Sequence, residues 1–565
     1  MFHPDSDRIP VRLNRSAYRL VKVSTYPTFR RIEDYFYCLK MSVFQTTPGQ
    51  DNFPTGSSTT QRGTWASDRT DFCKSPISKI DADLLWYIFT MNTFKDEYFL
   101  EPHYQVSRDI SPLITARRTS QTCVEWRTIM LSSASIWANS LHLSNMKQKN
   151  DNWRNEVLRR TGEAKLSIAG IVRDRTRTAD ILLSLLDIHW PRMRRILLSA
   201  YSASSTTMKD PRWQTLNRPA PYLEIFQVRF ADPIAGIKTL FSANAPSLDV
   251  LITANSPIRI EKSLHGFSRL RRLYFRADPV GPVLFDALSS LRSLEVLDIE
   301  CLTHSSAPRD LWAGKMPMKL TALRSLNLTV NSIRSVLPFL CHISPIPKCS
   351  FICNIAGDDD IELLPQESDH FDRSIANYLR SFDENDLLTE ISLEIHKSLL
   401  NFPFNFENRI VSEVATIQYL AKISPPLFSL NVRKDSWQHR TQRKIIDVLG
   451  GTSSNVLGSV KSLRTELFMG TSKDATVSKC LYAMKSVECL HTSCASLENL
   501  MDMEAINNDE PLFPRLHTLV PQSWRGRPDH AILLQFLQRR HMQHIPVLNL
   551  DMSNCPSAPP INFDF

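Results

Sequence analysis

Residues 270–299 read LRRLYFRADPVGPVLFDALSSLRSLEVLDI, and this stretch contains the pattern that decides the fold. Its segment Leu270–Phe275 carries large apolar residues at the first, fourth and sixth positions, and Leu294–Ile299 repeats that arrangement. Alternate side chains of a strand point to opposite faces of a sheet, so each segment is predicted to be a short strand with one buried face. The intervening segment Pro282–Leu288 is apolar and short, as a returning element would be.

The same pattern recurs along the chain at fairly regular intervals. After an initial strand at Leu166 and a predicted helix over Ala179–Leu186, its clearest copies begin at Met193, Leu223, Leu248, Leu270, Leu294 and Leu323. Repetition at such intervals resembles the leucine-rich repeat, whose units stack so that neighbours bury each other's apolar faces. The resemblance implies an α/β fold: a leucine-rich-repeat-like curved solenoid with a parallel sheet.

The pattern becomes fainter in the second half of the chain. Residues 341–385 depart from it, Asp358–Asp360 indicate a surface loop, and residues 449–459 contain a tight turn or loop. Further copies begin at Leu388, Leu427, Val487, Leu516 and Val547. We therefore predict a leucine-rich-repeat-like domain over residues 150–553, followed by a C-terminal tail over residues 554–565.

The chain before the repeats contains two segments of different composition. Residues 45–70 are rich in Thr, Ser, Gly and Pro without periodicity, so residues 1–75 are expected to be largely disordered. A small helical module is predicted over residues 76–145. Its first helix starts at the capping residue Asp81 and carries one apolar face, formed by Leu84, Leu85, Ile88 and Phe89.

A second helix is predicted over residues 113–131, ended by the serines of residues 132–135, and Trp137 opens a third short segment. So small a unit buries little apolar surface by itself. Two interpretations follow. Part of the apolar surface, with Trp126 and Trp137, serves contact with another molecule, or the module is the capping end of the domain that follows.

Three segments of this region, 80–89, 123–137 and 153–168, resemble the F-box region of a large family of basidiomycete F-box proteins. The family has a Leu-Leu-x-x-Ile-Phe helix, a Cys-x-x-Trp-Arg segment with a later tryptophan, and a Leu-x-Arg-Ser-Gly turn. The positions that match are Leu84, Leu85, Ile88, Phe89, Cys123, Trp126, Arg127, Ile129, Leu131, Trp137, Leu158, Arg159, Arg160, Thr161, Gly162, Leu166 and Ile168.

This resemblance implies a non-enzymatic substrate-recognition subunit of an SCF-type E3 ubiquitin ligase. Its F-box-like helical module would bind a Skp-type adaptor of a cullin–RING ligase, and its array would bind an unknown target protein. The adaptor-binding residues so implied are Leu84, Leu85, Ile88 and Phe89, with Trp126 and Trp137 organising the core beneath them. The alternative is a leucine-rich scaffold whose F-box remnant binds no adaptor. Ile80-Asp81, where the family has Leu-Pro, and an apparent insertion over residues 92–112 favour it.

The charge distribution and the composition restrict the classes of binding partner that we expect. The 565-residue chain has a formal net charge of +9, and residues 147–212 contribute 14 Lys and Arg against 7 Asp and Glu. This segment is either a solvated face of the first repeats or a contact for an acidic partner. Aromatic residues are not interleaved with its arginines, which argues against nucleic acid as a partner.

The sequence contains no motif for an enzyme, cofactor or metal. It has no Gly-x-Gly-x-x-Gly, phosphate loop or Gly-x-Ser-x-Gly elbow, so no cofactor is expected. The clusters Cys341–Cys353 and Cys489–Cys494 lack the paired spacing of zinc ligands. The start of the chain lacks an apolar signal segment, and no apolar run is long enough to cross a membrane. We therefore expect eleven reduced cysteines, no membrane partner, and a cytoplasmic or nuclear location.

Overall fold

The protein is described from a computed structural model of the chain. It describes residues 80–93, 111–148, 150–173, 177–202, 209–230, 234, 237–254, 260, 262–277, 280–301, 315–344, 349–355, 364–381, 390–396, 428–433, 457–467, 471–507, 510–522 and 527–555. The predicted disorder of residues 1–75, and most of the predicted insertion, loops and tail, lie outside these residues. By its contacts the chain divides into Met1–Lys74 and Ser75–Phe565, and the described residues all belong to the second unit.

A parallel sheet of fifteen strands runs through the described residues. The strands are β1 (Leu141–His142), β2 (Leu166–Arg173), β3 (Met193–Ser202), β4 (Ile225–Phe230), β5 (Val250–Ala254), β6 (Arg272–Arg276), β7 (Val296–Cys301), β8 (Ser325–Val330), β9 (Ser350–Ile355), β10 (Glu390–His396), β11 (Phe428–Arg433), β12 (Ser462–Glu466), β13 (Cys489–Thr492), β14 (Thr518–Pro521) and β15 (Asn549–Leu550). Every pairing between neighbours is parallel, which confirms the predicted α/β class with a parallel sheet.

Helices lie before the sheet and between its strands. The α-helices are α1 (Ala82–Thr93), α2 (Pro112–Thr119), α3 (Val124–Ser132), α4 (Ala134–Asn139), α5 (Leu143–Met146), α6 (Asn152–Arg160), α7 (Arg177–His189), α8 (Pro282–Ser289), α9 (Leu337–His342), α10 (Pro365–Arg380), α11 (Ala475–Ala483), α12 (Cys494–Ile506) and α13 (Arg527–Met542). Short 3₁₀ segments span Trp190–Arg192, Pro211–Asn217, Leu240–Ala243, Leu264–Gly266, Ile333–Ser335 and Thr471–Lys473.

The repeated leucines form rows across the sheet. Leu251 pairs with Leu273, Leu273 with Leu297, and Leu297 with Leu326, and all four side chains are buried. Each such leucine contributes about 1.5–3 kcal/mol through its burial. This register explains the repeated pattern, because it places the fourth position of these four copies in one buried row.

Helix α6 ends at the turn where Gly162 matches the family's glycine. Thr161 is its C-terminal cap, and Gly162 follows with φ of +45°, in the left-handed region where a residue without Cβ is least strained. The chain then enters β2. This turn joins the helical segments of residues 80–160 to the sheet, to which β1 already belongs through its pairing of Leu141 with Ile168.

The prediction of one continuous helix over residues 113–131 is wrong, because the chain forms two helices there, α2 and α3. Helix α2 stops where the Ser120 hydroxyl donates to the Arg117 carbonyl oxygen over 2.7 Å. Cys123 then adopts an extended backbone with φ of −151°, and its Sγ accepts the backbone N–H of Trp126 at 3.5 Å. Local side chain–backbone bonds therefore outcompete a continuous helix. The predicted break after α3 is confirmed by the start of α4.

The order of the strands departs from the sequence at one place. Strand β11 pairs with β9 on one side and with β10 on the other, so β10 and β11 exchange the places that sequential stacking gives them. Strands β9 and β12 are also present where the sequence analysis predicted none. A strand's apolar pattern sets which face it buries, but it does not select a neighbour among strands with similar patterns.

Candidate protein-docking surface

Helix α1 is anchored by its start and by one face. The side chain of Asp81 accepts the backbone N–H of Asp83 over 2.8 Å, which confirms the predicted cap. Leu85, Phe89 and Thr93 are at most 4% exposed and face the core. These three residues recur every fourth position, so they form one stripe along the helix. Their burial fixes which face of α1 points outward.

The outward face of α1 is also apolar. Leu84, Tyr87 and Met91 are 52%, 57% and 49% exposed, and they lie three and four positions apart along one side of the helix. We call these three residues the α1 stripe. Ile88 is half-buried beside it. A surface helix of a globular protein normally carries polar residues opposite its buried face. The α1 stripe therefore exposes surface of the kind that another protein buries.

Further exposed apolar side chains lie nearby in the sequence. Among the described residues, six of the fourteen exposed large hydrophobic side chains fall between positions 84 and 131. Besides the α1 stripe, they are Trp86, Val124 and Leu131. Exposed apolar residues that occur singly are ordinary, whereas a concentration of them indicates an interaction surface.

Two tryptophans take part in the packing of the helical segments, and one of them, Trp126, contacts α1 directly. The Phe89 ring contacts the half-buried Trp126 edge to face, with ring centroids 4.9 Å apart. Trp137 is fully buried, and its Nε1–H donates to the Met130 carbonyl oxygen over 2.7 Å. The Nε1–H of Trp126 has no hydrogen-bond partner among the described residues. Both rings therefore hold the helices together, and Trp126 does so at the edge of the core.

The six residues implied in adaptor binding occupy three kinds of position. Leu84 is exposed, and Ile88 and Trp126 are half-buried. The three that lie in the core are Leu85, Phe89 and Trp137. The structure thus divides the predicted apolar face between the interior and the surface.

Two residues of the exposed face were missed by the sequence analysis, Tyr87 and Met91. The signal that could have found them is their spacing from Leu84, which places all three on one side of a helix. They were passed over because the adjacent pairs Leu84-Leu85 and Ile88-Phe89 suggest a single wide apolar face. On a helix, neighbours in sequence are separated by about 100°. Such a pair is therefore easily split between core and solvent.

A partly buried histidine lies where the helices meet the sheet. His142, in β1, is within hydrogen-bond distance of the Ser144 hydroxyl, at 2.7 Å from its Nδ1. Burial lowers the pKa of His142 to about 4. Its imidazole is therefore neutral at pH 7, so this junction carries no positive charge from the histidine.

The cysteine clusters considered for metal binding lie in and beside strands β9 and β13, where Cys349, Cys353 and Cys494 are buried and Cys341 and Cys489 are partly buried. Burial raises the pKa of Cys353 to about 12 and that of Cys349 to about 11, so both remain neutral thiols at pH 7. Cys489 Sγ lies 3.4 Å from His491 Nε2, and Cys494 begins the neighbouring helix α12. In the described part of the chain, no three Cys, His, Asp or Glu side chains converge as a metal site. Buried neutral thiols act here as small apolar side chains.

No protein-family model matches the chain, and no curated protein is significantly similar to it. Within the described residues, none of the helices combines the length and the apolar character needed to span a bilayer.

Proposed function

We propose that this protein is a non-enzymatic, F-box-like substrate receptor of an SCF-type ubiquitin ligase. Its helical segments bind a Skp-type adaptor, and its sheet-bearing region is a leucine-rich-repeat-like solenoid that binds a target protein. The observation that carries the proposal is the α1 stripe, because Leu84, Tyr87 and Met91 expose an apolar helix face in the region that resembles an F-box.

The arrangement of the rest of the chain supports the second half of the proposal. Strands that recur at fairly regular intervals enter one parallel sheet in sequence order from β1 to β9, as stacked repeats do. On the face opposite the buried Leu273 and Phe275, Tyr274 and Arg276 are half-exposed. These positions offer mixed aromatic and charged contacts to a protein partner.

The mechanism is one of proximity. Two binding surfaces on one chain hold a target near the ubiquitin-conjugating enzyme that the adaptor complex recruits. The encounter between a target lysine and the activated ubiquitin then becomes effectively intramolecular. The receptor itself contributes no reacting group, so its function depends on the two contacts and on their rigid connection.

Adaptor binding is tested with purified full-length protein and a purified Skp-type adaptor, by titration calorimetry and co-purification. The double variant Leu84→Asp/Tyr87→Asp places charges on the α1 stripe and should weaken binding at least about tenfold. Val283→Asp, on the 66% exposed Val283 of α8, is the matched control and should leave binding unchanged. Leu85→Asp is a poor test, because Leu85 is buried and its replacement disrupts the core.

Absence of adaptor binding by the wild-type protein would overturn the proposal. It would favour a leucine-rich scaffold that has the same sheet and no ligase partner. The observation that favours the scaffold is the burial of Leu85 and Phe89, two of the residues implied in adaptor contact. Affinity capture with the proteasome inhibited identifies the target protein. Targets of a receptor accumulate under inhibition, whereas partners of a scaffold do not.

A further inference from the structure

A second surface of the helical segments has a different chemistry from the α1 stripe. A cleft of about 440 Å³ opens between α2, α3 and α6, within the size range of small-molecule sites. Each helix contributes one arginine to its lining: Arg117, Arg127 and Arg160. The indole of Trp153 and the side chain of Leu131 also line it, together with polar side chains. None of the described residues that line it is Asp or Glu.

Arg160 is held in place by contacts that leave part of its guanidinium for a ligand. Its guanidinium carbon lies 4.5 Å from the ring centroid of Trp137, and its Nε donates to Glu156 Oε1 over 2.8 Å. Stacking uses one face and the ion pair uses Nε–H, so the terminal N–H groups can bind another acceptor. A guanidinium fixed in this way loses little further conformational freedom on binding.

The other two arginines are anchored in the same manner. Arg127 donates through Nε to the carbonyl oxygen of Ser120 over 3.2 Å. The guanidinium of Arg117 lies over the Trp153 ring, 5.4 Å from its centroid. Each contact orients a side chain and leaves its charge uncompensated, since neither a carbonyl nor an indole carries a formal negative charge.

The charge balance around the cleft stays positive. Glu156 is the carboxylate that contacts one of these arginines, and it is shared between Arg159 and Arg160. Hydrogen bonds from Arg159 and then Arg160 lower the pKa of Glu156 to about 2, so it is ionised at neutral pH. Within the described residues, Glu156 pairs with Arg159 and Arg160, and neither Arg117 nor Arg127 pairs with a carboxylate. The excess positive charge is what an anionic ligand would neutralise.

We propose that this cleft binds a phosphate monoester. A phosphate monoester carries about −1.5 to −2 charges at pH 7 and three acceptor oxygens. The three arginine side chains that line the cleft can donate hydrogen bonds to these oxygens and neutralise the charge. A carboxylate offers one charge and two oxygens. Nucleic acid fits less well, because the only tryptophan among the lining residues, Trp153, is already covered by Arg117 and contacts Trp137 at 6.5 Å. This proposal does not rest on adaptor binding. No residue of the α1 stripe lines the cleft, although Leu131 is both a lining residue and one of the exposed apolar side chains between positions 84 and 131.

The test is titration calorimetry of the full-length protein at constant ionic strength. Five probes are compared: inorganic phosphate, free O-phosphoserine, a short Gly/Ala peptide with one phosphoserine, its unphosphorylated twin, and a short single-stranded oligonucleotide. We expect saturable binding of the phosphorylated probes, weakened at least about tenfold by Arg117→Gln and by Arg127→Gln. Arg118→Gln removes the same charge from the neighbouring position of α2, outside the cleft, and should leave binding unchanged.

The outcomes separate the sources of the phosphate and can overturn the site. Tighter binding of the phosphopeptide than of the free probes assigns the cleft to a phosphorylated protein segment, whereas equal affinities assign it to a free phosphate monoester. Circular dichroism and thermal melts show whether each variant is folded, and Arg117→Lys, which keeps the charge, provides a second folded variant with intermediate affinity. Three results overturn the proposal: no binding at millimolar phosphate, an equal loss with Arg118→Gln, or tighter binding of an oligonucleotide.

Discussion

The rings of Phe89 and Trp126 meet edge to face, 4.9 Å apart between centroids and 63° between planes. This contact joins α1 to α3, although the segment 94–110 between them in the chain lies outside the described part. It therefore determines which side of α1 faces outward. Rotation of α1 that exposed Phe89 would bury the α1 stripe.

Phe89→Ala is expected to lower the free energy of unfolding by about 3–5 kcal/mol, the range for removing a buried aromatic side chain. Tyr87→Ala, two positions away and 57% exposed, should change it by less than about 0.5 kcal/mol. Urea denaturation followed by tryptophan fluorescence measures both. Similar losses for the two variants would show that α1 is not oriented as described.

Gly266→Ala should be strongly destabilising, by more than about 2 kcal/mol. A Cβ built on Gly266 would lie 1.6 Å from the backbone carbonyl oxygen of Ala243, which no side-chain rotation can relieve. Gly281→Ala is the control, because a Cβ there meets no heavy atom within 4 Å. Thermal melts of the two variants measure the difference in their stability. A melting temperature for Gly266→Ala equal to that of the control would contradict this close approach.

Acidification should destabilise the fold partly through His142. Its pKa is about 4 in the folded chain against 6.5 for an unperturbed histidine, so the unfolded chain binds more protons between these two pH values. The free energy of unfolding contributed by this group is therefore unchanged above pH 6.5 and falls as the pH drops towards 4. Since the side chain is partly exposed, we expect a loss of about 1–2 kcal/mol.

His142→Gln should reduce the dependence of the free energy of unfolding on pH between pH 4 and 6.5. The urea midpoint, measured from pH 4 to pH 7 for both proteins, tests this. Both profiles include every other titrating group, so the difference between them isolates the histidine. A difference that did not change with pH would mean that the imidazole is not shielded from solvent.

Removing Arg540 should cost more than removing its neighbour Arg539. The Arg540 side chain is 1% exposed, and it donates to the carbonyl oxygens of Leu512 and Phe513 over 2.6 and 2.8 Å. Burial lowers its pKa to about 10, so it is still charged at pH 7 and faces the buried Glu504. Arg540→Met leaves buried acceptors unpaired, and we expect a loss of about 3–5 kcal/mol.

Arg539→Met serves as the comparison. Its side chain is 25% exposed and contacts Glu504 at 3.2 Å, so its loss should cost about 1 kcal/mol. Chemical denaturation at pH 7 measures both variants. A larger loss of stability for Arg539→Met than for Arg540→Met would contradict the assignment of Arg540 as the buried cation beside Glu504.

The regular part of the sheet was predictable because one physical rule governs it. Where Leu251, Leu273, Leu297 and Leu326 stand in register, sequence pattern and burial coincide. Strand β9 was missed because Cys353 stands in register with Leu328 and Ile299, where the neighbouring copies have aliphatic residues. Cysteine buries readily as a small apolar side chain, but a pattern of cysteines also suggests ligands.

The candidate docking surface was predictable in its location and less so in its residues. The sequence identified α1 and its cap, yet it assigned Leu84 and Leu85 to one face, and tertiary packing placed Leu85 inside. The cleft at Arg117, Arg127 and Arg160 could not be predicted. It forms where α2, α3 and α6 meet, and the continuous helix expected over residues 113–131 would have oriented Arg117 and Arg127 differently.

The place of β11 between β9 and β10 has a consequence for synthesis on the ribosome. Both neighbours of β10, which are β11 and β12, follow it in the chain, so a nascent β10 has no partner strand when it emerges. The segment between β10 and β11 must be translated first, which takes about 2–6 s at typical elongation rates. Until then the edge of β9 stays open. The middle of the sheet is thus where a growing chain would need protection by chaperones.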